Sequence, residues 1–396
     1  MKLHLFTANY PFGFGESYLN NELKYVAPNV DEVHIYPVLK KGEMQTQFNQ
    51  NHELHFISSE EVQLGFGDHM TILFVLMHEL IYAKQRWFVL KNVMKFRAEL
   101  KLAMKLAKKI EALKIPQEDI VYSYWMNEWA LALALLKKKK KIHRFVFRVN
   151  GYDIWDERHA GNYLPFRHFI YSQTAAVITL SETTEKYLKQ LNIYPDRITK
   201  CYFGTEDYGI CETPDREEKV VFSCSSAYLL KRLDKIAEVL IALDIPLHWT
   251  HHGDGETIEA VENVLNSKPH KVRFTNTKKV NDYSEVLAME KELAPDLFVN
   301  LSSTEGMPVT LLEALSYGIP ILVNDVGSCK ELISEVSGIC VEPDDSPEKI
   351  AELIHQSDLL KVDSERRAKI RDYWFENFYA KEIYSNFAQQ LKSYFE

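Results

Sequence analysis

The stretch Ser303–Pro320, STEGMPVTLLEALSYGIP, decides how the C-terminal half of the chain is read. Just before it, Asp296-Leu-Phe-Val-Asn-Leu301 has the composition of a buried strand, and Ser302–Gly306 is a loop at its carboxyl end. Pro308 suits a first helical turn, where its missing N–H costs nothing. Leu311, Leu312 and Leu315 line one helical face, Gly318 suits the C-terminal cap, and Pro320 prevents continuation. The unit is strand, loop, helix, strand, and its loop lies where open α/β sheets bind ligands. The N–H groups of Val309, Thr310 and Leu311, with the positive end of the helix dipole, form an anion site without a basic side chain. Glu305 stands in the loop and Glu313 inside the helix, about 7–8 Å further along its axis. That arrangement suits a clamp on either side of a phosphate better than a pair of carboxylates sharing one glycosidic bond. A ligand with the order sugar, diphosphate, ribose has the matching shape.

The same alternation runs through the chain. Lys2–Thr7, Glu32–Val38, Ile120–Trp125, Phe145–Val149 and Ala176–Leu180 read as strands, separated by helical patterns such as Glu16–Ala27 and Glu128–Lys139. Residues 206–218 are polar and without period, which marks a linker. Val220–Ser223, Leu247–His252 and Lys271–Thr275 then restart the rhythm. The expected fold is α/β: two Rossmann-like domains facing across a cleft, residues 1–205 and 219–373. A long aromatic helix, Ser364–Lys392, is expected to carry residues 374–396 back to the first domain.

The chain has 396 residues, enough for two domains. Its five cysteines form no CxxC pair and no Cys/His cluster, which fits a reducing, cytoplasmic compartment. The N-terminus reads as a buried first strand. The most apolar stretch, Thr71–Met77, is far short of the roughly 20 residues that span a bilayer. The net charge of −9 hides an asymmetry: residues 1–204 hold 27 Lys and Arg against 21 Asp and Glu, so the excess acid lies in the second half. Residues 84–114 alone hold ten Lys and Arg against Glu99 and Glu111. Val93, Phe96, Leu100, Ala103, Ala107 and Ile110 fall on one helical stripe there. Two readings stay open: a basic amphipathic helix on an anionic membrane surface, or a domain helix with its stripe in the core. No motif points to nucleic acid.

The block EGMPVTLLEALSYGIP, with Glu305 and Glu313 at E-x7-E spacing, resembles the retaining GT-B glycosyltransferases of family 4, in particular bacterial surface-polysaccharide members. WTHHGDGE, DVGSCKELI and CSSAYLLKRLDKIAEVL resemble flanking segments of that family, and coverage is nearly the whole chain, weakest at residues 40–115. The resemblance implies a nucleotide-diphosphate sugar as co-substrate and a saccharide acceptor; the membrane reading of the basic segment 84–114 would suit an acceptor carried on a lipid and a cytoplasmic protein peripheral on the inner face of the membrane. Glu305 with the amides of Gly306 and Met307 would hold sugar hydroxyls, Glu313 the ribose, and Lys231 would neutralise the diphosphate. Two positions depart from the family pattern. Ser226 stands where an arginine is usual, leaving Arg232 as a substitute, and Asn150 stands where a histidine is usual.

On the acceptor side, the candidates are the Gly13, Gly15, Glu16 turn, with Arg148 and Asp153 flanking Asn150. The implied mechanism is front-face substitution, with Lys231 and helix N–H groups stabilising the leaving diphosphate and the Asn150 backbone or side chain, as a catalytic candidate beside Glu305 and Lys231, stabilising the oxocarbenium-like carbon. No Asp-x-Asp lies in a plausible site, so neither a metal nor another cofactor is expected. A competing reading is a non-catalytic homologue that binds a sugar nucleotide or glycan as a partner subunit; Ser226 and Asn150 are its support.

Overall fold

The structure, a computed structural model, describes residues 1–13, 15–44, 51–57, 62–278 and 283–396. These fall into two compact units, Met1–Tyr202 with Ile383–Glu396, and Phe203–Glu382.

The N-terminal unit is built on a parallel sheet of seven strands: β1 Leu3–Thr7, β2 Val33–Pro37, β3 His52–Leu54, β4 Ile120–Ser123, β5 Val146–Arg148, β6 Ala176–Thr179 and β7 Ile198–Lys200. Their order is β3-β2-β1-β4-β5-β6-β7. Residues of β1, β2, β4, β5 and β6 are buried throughout, as a parallel sheet covered on both faces requires. Strands β3 and β7 are edge strands of three residues, too short to leave a periodic signal.

Between β3 and β4 lie helices Phe66–Tyr82, Arg86–Lys91 and Val93–Ala112. In the last of these Phe96, Leu100, Ala103, Ala107 and Ile110 are buried, while Lys95 and Arg97 face solvent. The apolar stripe of the 84–114 segment therefore belongs to the protein core, and the reading that laid this stripe on a membrane is corrected. Burial of the stripe against helices Phe66–Tyr82 and Glu128–Lys138 removes the surface that lipid would need.

The C-terminal unit has six parallel strands: β8 Lys219–Cys224, β9 Leu247–His252, β10 Val272–Thr277, β11 Leu297–Asn300, β12 Ile321–Asn324 and β13 Gly338–Val341. Their order is β10-β9-β8-β11-β12-β13, so the strand order reverses between β8 and β11. Residues 206–218 form neither helix nor strand. Arg216 fixes their end to this unit through the carbonyls of Leu293 and Ala294, at 2.8 and 2.7 Å, and through Asp296 at 3.1 Å.

The single helix expected over Ser364–Lys392 is two, Ser364–Phe378 and Ala380–Ser393. Tyr379 is extended (ψ 122°) because the backbone of Thr205 enters there. Thr205 N–H donates to the Phe378 carbonyl (3.1 Å), and Ala380 N–H donates to the Thr205 carbonyl (3.0 Å). A side chain at Gly204 would meet the Ala380 Cα at 2.5 Å, so the passage requires glycine. From Ile383 onward the second helix completes the N-terminal unit, burying Tyr384, Phe387 and Leu391.

Candidate active site

Two loops meet over the β8/β11 reversal. One follows β8 and ends in the turn Leu229–Lys231; the other follows β11 and leads into helix Val309–Ser316. Lys231 Nζ lies 2.6 Å from Glu305 Oε1, and Asn300 Nδ2 donates to the same oxygen at 3.2 Å. The pair is partly shielded, with side-chain exposures of 21% and 11%. Neighbouring backbone locks both loops. Ser303 N–H donates to the Leu230 carbonyl (2.8 Å), and Ser328 N–H donates to the Gly306 carbonyl (3.0 Å). Gly327 (φ +56°) allows this approach, since a Cβ there would sit 2.1 Å from the Glu305 carbonyl oxygen. Asn324 Nδ2, at the end of β12, bonds the carbonyls of Leu301 and Ser302 at 2.7 and 3.0 Å.

Pro308 is the N-cap of helix Val309–Ser316, one position earlier than a first helical turn. Val309 and Thr310 begin that helix. Leu311 N–H bonds the Pro308 carbonyl (3.2 Å), so its place among the anion donors is corrected: a turn closes on it. Met307 points inward and is buried, which leaves its amide as the group on offer. Glu313 is buried at 3%, with Tyr283 O–H donating to its Oε2 at 2.6 Å. Burial raises its pKa to about 8, against the opposing pull of the Tyr283 hydroxyl, so the carboxyl is protonated at neutral pH. Burial also pushes the neighbouring Glu290 carboxyl well up, with the Glu313 charge adding to it. Ser226 is exposed in the loop after β8. Arg232 donates to the Pro343 carbonyl at 2.8 Å, as does Lys235, so this guanidinium braces the loop after β13.

In the N-terminal unit most acceptor-side candidates prove to be framework. Glu16 is buried and accepts from the N–H groups of Ala8, Asn9 and Tyr10 at 3.2, 2.6 and 2.6 Å, and from Trp125 Nε1. It shapes the turn after β1, in which Gly13 (φ +59°) is tied to the Glu43 carbonyl and Gly15 is open to solvent. Arg148 has no exposure and pairs with Glu22 at 3.1 Å, Tyr122 O–H at 3.0 Å and the Cys201 carbonyl at 3.1 Å. Asp153 is buried and accepts from the N–H groups of Asn150, Gly151 and Met126. Their candidacy as acceptor contacts is corrected, because these side chains are engaged inside the unit. Asn150 differs. Its Nδ2 donates to the Tyr124 carbonyl at 2.7 Å, while its buried Oδ1 has no partner among the described residues. In the same unit a cavity of about 350 Å³ is lined by Pro37–Lys40, Phe56, Leu102 and Glu128, among others.

Sequence reading did not single out Asn300, Asn324, Tyr283 or Glu290. Asparagine at the carboxyl ends of two adjacent strands, β11 and β12, was the available signal for the first two. Tyr283 and Glu290 reach Glu313 from another helix, Tyr283–Leu293, and no spacing within the chain reports that.

Residues 213–374 match the family described as glycosyl transferases group 1. That segment holds Lys231, Glu305 and Glu313. The O-antigen biosynthesis glycosyltransferase WbnH of Escherichia coli is 36% identical over 90 residues, which is 23% of this chain and 24% of that protein. The chain thus matches about a quarter of the length of this curated relative. Among solved structures, the lipopolysaccharide outer core galactosyltransferase WaaB in its apo form superposes with a TM-score of 0.70 at 15% identity, covering 99% of both chains. Anabaena Alr3699/HepE in complex with UDP superposes with a TM-score of 0.68 at 15% identity, over 99% of this chain and all of that one. Both match this chain in fold, two Rossmann-like units of the GT-B class.

Proposed function

We propose that this chain is a retaining glycosyltransferase that moves a hexose-type sugar from a nucleotide-diphosphate donor to a saccharide acceptor carried on a lipid, in the assembly of a surface polysaccharide. One observation carries the reading. The Lys231–Glu305 pair sits beside a helix N-terminus at the β8/β11 reversal, inside the segment that matches glycosyl transferases group 1. A diphosphate arriving there would meet the N–H groups of Val309 and Thr310 and draw the Lys231 ammonium from Glu305. Glu305, with the amides of Gly306 and Met307, would then accept sugar hydroxyls. Glu313 would take the ribose by exchanging its bond to Tyr283. The acceptor oxygen bonds the anomeric carbon from the face that the diphosphate leaves, and its proton passes to the departing phosphate oxygen. Lys231 and the helix donors stabilise the charge growing on that phosphate. On the N-terminal unit, the free Asn150 Oδ1 is the proposed polar contact for the acceptor side.

A thermal-shift panel of UDP-, GDP-, ADP- and dTDP-sugars tests the proposal. One nucleotide class should raise the melting temperature, and Lys231→Ala should remove the shift. No response to any member, or an unchanged response in the variant, overturns it. With Lys231 as the neutralising charge, EDTA should leave transfer unchanged; a strict need for Mg²⁺ or Mn²⁺ would refute that part.

A further inference from the structure

Strands β1, β2 and edge strand β3 turn a row of titratable side chains to one face of the sheet. His4, His34 and Glu53 are in register across the three strands, and His55, two residues beyond Glu53, returns to the same face. Pairing continues past β3 through the His55 N–H, which donates to the Ile35 carbonyl at 2.9 Å. Three ligand atoms converge there. His34 Nδ1 lies 2.8 Å from His55 Nε2, and Glu53 Oε2 lies 3.4 Å from each of these nitrogens. A tetrahedral zinc ion with bonds of about 2.0–2.1 Å holds its ligand atoms about 3.3–3.4 Å apart. Two of the three edges already have that length, and the third must open by about 0.5 Å.

The surroundings orient the set. Glu32 Oε2 accepts from His34 Nε2 at 3.0 Å, which puts the ring proton on Nε2 and leaves the Nδ1 lone pair facing His55 and Glu53. Lys2 Nζ, 2.5 Å from the same carboxylate oxygen, holds Glu32 in place. The His4 ring stacks on His34 with centroids 5.0 Å apart, and is itself held by the Tyr36 hydroxyl at 3.0 Å and Asp119 at 3.4 Å. It is therefore a floor and not a ligand. The His55 ring stacks on Tyr36, again at 5.0 Å. Side-chain exposure rises from 11% at His34 through 34% at His55 to 58% at Glu53, so solvent reaches the position that a fourth ligand would fill.

We propose that His34 Nδ1, His55 Nε2 and the Glu53 carboxylate bind a divalent transition cation of the zinc type, with water in the fourth position, and that the ion clips edge strand β3 to β2. The donor set selects the ion. Two imidazoles with one carboxylate suit zinc, whereas magnesium and calcium require oxygen ligands. The clip acts where the sheet is weakest, since β3 has three residues and stands at the edge. An ion there cross-links β2 to residues 53–55. It also fixes the position of Phe56, which lines the 350 Å³ cavity beside Pro37 and Leu39. The role is structural and separate from the transfer chemistry proposed above, in which Lys231 supplies the positive charge.

The test is calorimetric titration of zinc chloride into the full chain, stripped of metal with a chelator and then dialysed, beside a titration of magnesium chloride. One zinc per chain is expected to bind saturably and to raise the melting temperature, with no response to magnesium. Cobalt chloride in place of zinc should give the visible absorption of a tetrahedral cobalt site. Glu53→Ala and His55→Ala, both at positions open to solvent, should remove the saturable binding and the cobalt absorption. Glu32→Gln keeps all three ligands and should weaken zinc about 10- to 100-fold by loosening the His34 ring. Circular dichroism checks that each variant is folded. Absence of saturable zinc binding in the parent overturns the proposal, since the cluster is then a hydrogen-bonded pair of imidazoles only. Binding at unchanged affinity in Glu53→Ala or His55→Ala also overturns it, since the zinc then sits on other side chains. The readout involves neither nucleotide nor turnover, so its failure is distinct from failure of the proposed transfer reaction.

Discussion

Glu313→Gln should make the protein more stable in neutral and alkaline solution while weakening its hold on nucleotide. In the folded chain the Glu313 pKa is raised to about 8 from its ordinary 4.5, chiefly by burial. Below the ordinary value, both folded and unfolded chains carry the proton and the group contributes no pH dependence. As pH rises through the interval, the unfolded chain releases the proton and the folded chain keeps it, so stability is lost at about 1.4 kcal/mol per pH unit until the folded carboxyl ionises. Between about pH 5 and pH 8 this amounts to roughly 4 kcal/mol. Glutamine has nothing to release. It can still accept the Tyr283 hydroxyl, and its amide is a donor in a region where Glu290 Oε1 has no partner among the described residues. Urea unfolding followed by fluorescence at several pH values measures the difference between variant and parent. The gap should be near zero in acid, widen with pH and level off above pH 8. A gap that does not change with pH, or a variant less stable than the parent at every pH, would refute the reasoning. Nucleotide affinity, measured by calorimetry at neutral pH, should move the other way.

Lys231→Ala should cut transfer by about a hundred- to a thousandfold, the usual loss when one donor to a developing oxyanion is removed, with the fold intact by circular dichroism. Arg148→Met leaves Glu22 as an unpaired charge in the interior and should cost roughly 3–5 kcal/mol in urea unfolding. Gly327→Ala places a methyl group against the Glu305 carbonyl at a left-handed backbone position, so the loop must shift. It should lose about 1–2 kcal/mol of stability and most of the thermal shift induced by nucleotide.

Strands that are buried on both faces left the clearest trace in the sequence. Leu3–Thr7, Val33–Pro37 and Ile120–Ser123 are largely apolar runs, and every one is a strand of a parallel sheet. The β11 loop and its helix were legible because Pro308, Gly318 and Pro320 punctuate them. The edge strands β3 and β7 were not, since three residues carry no period. Helix Phe66–Tyr82 escaped notice because it is apolar on both its faces, and periodicity cannot distinguish a core-facing row from a solvent-facing one. The break at Tyr379 depends on the backbone of Thr205, 174 residues away in the chain, so no local pattern around Tyr379 announces it. Within the candidate site, spacing brought Glu305 and Glu313 to attention. Their partners come from other strands and helices, and only tertiary structure joins them. Arg148, Asp153 and Glu16 looked functional because charged residues beside glycine turns so often are. Their burial here turns that signal into scaffolding.

The wall that Tyr384, Phe387 and Leu391 supply to the N-terminal unit comes from beyond the whole C-terminal unit in the chain. Until they emerge, the region around Tyr122 and Arg148, which Phe387 flanks, stands uncovered while the whole intervening unit is being translated. The N-terminal unit is therefore completed only after the C-terminal unit has been made, and truncation after Glu382 would damage the unit that was synthesised first.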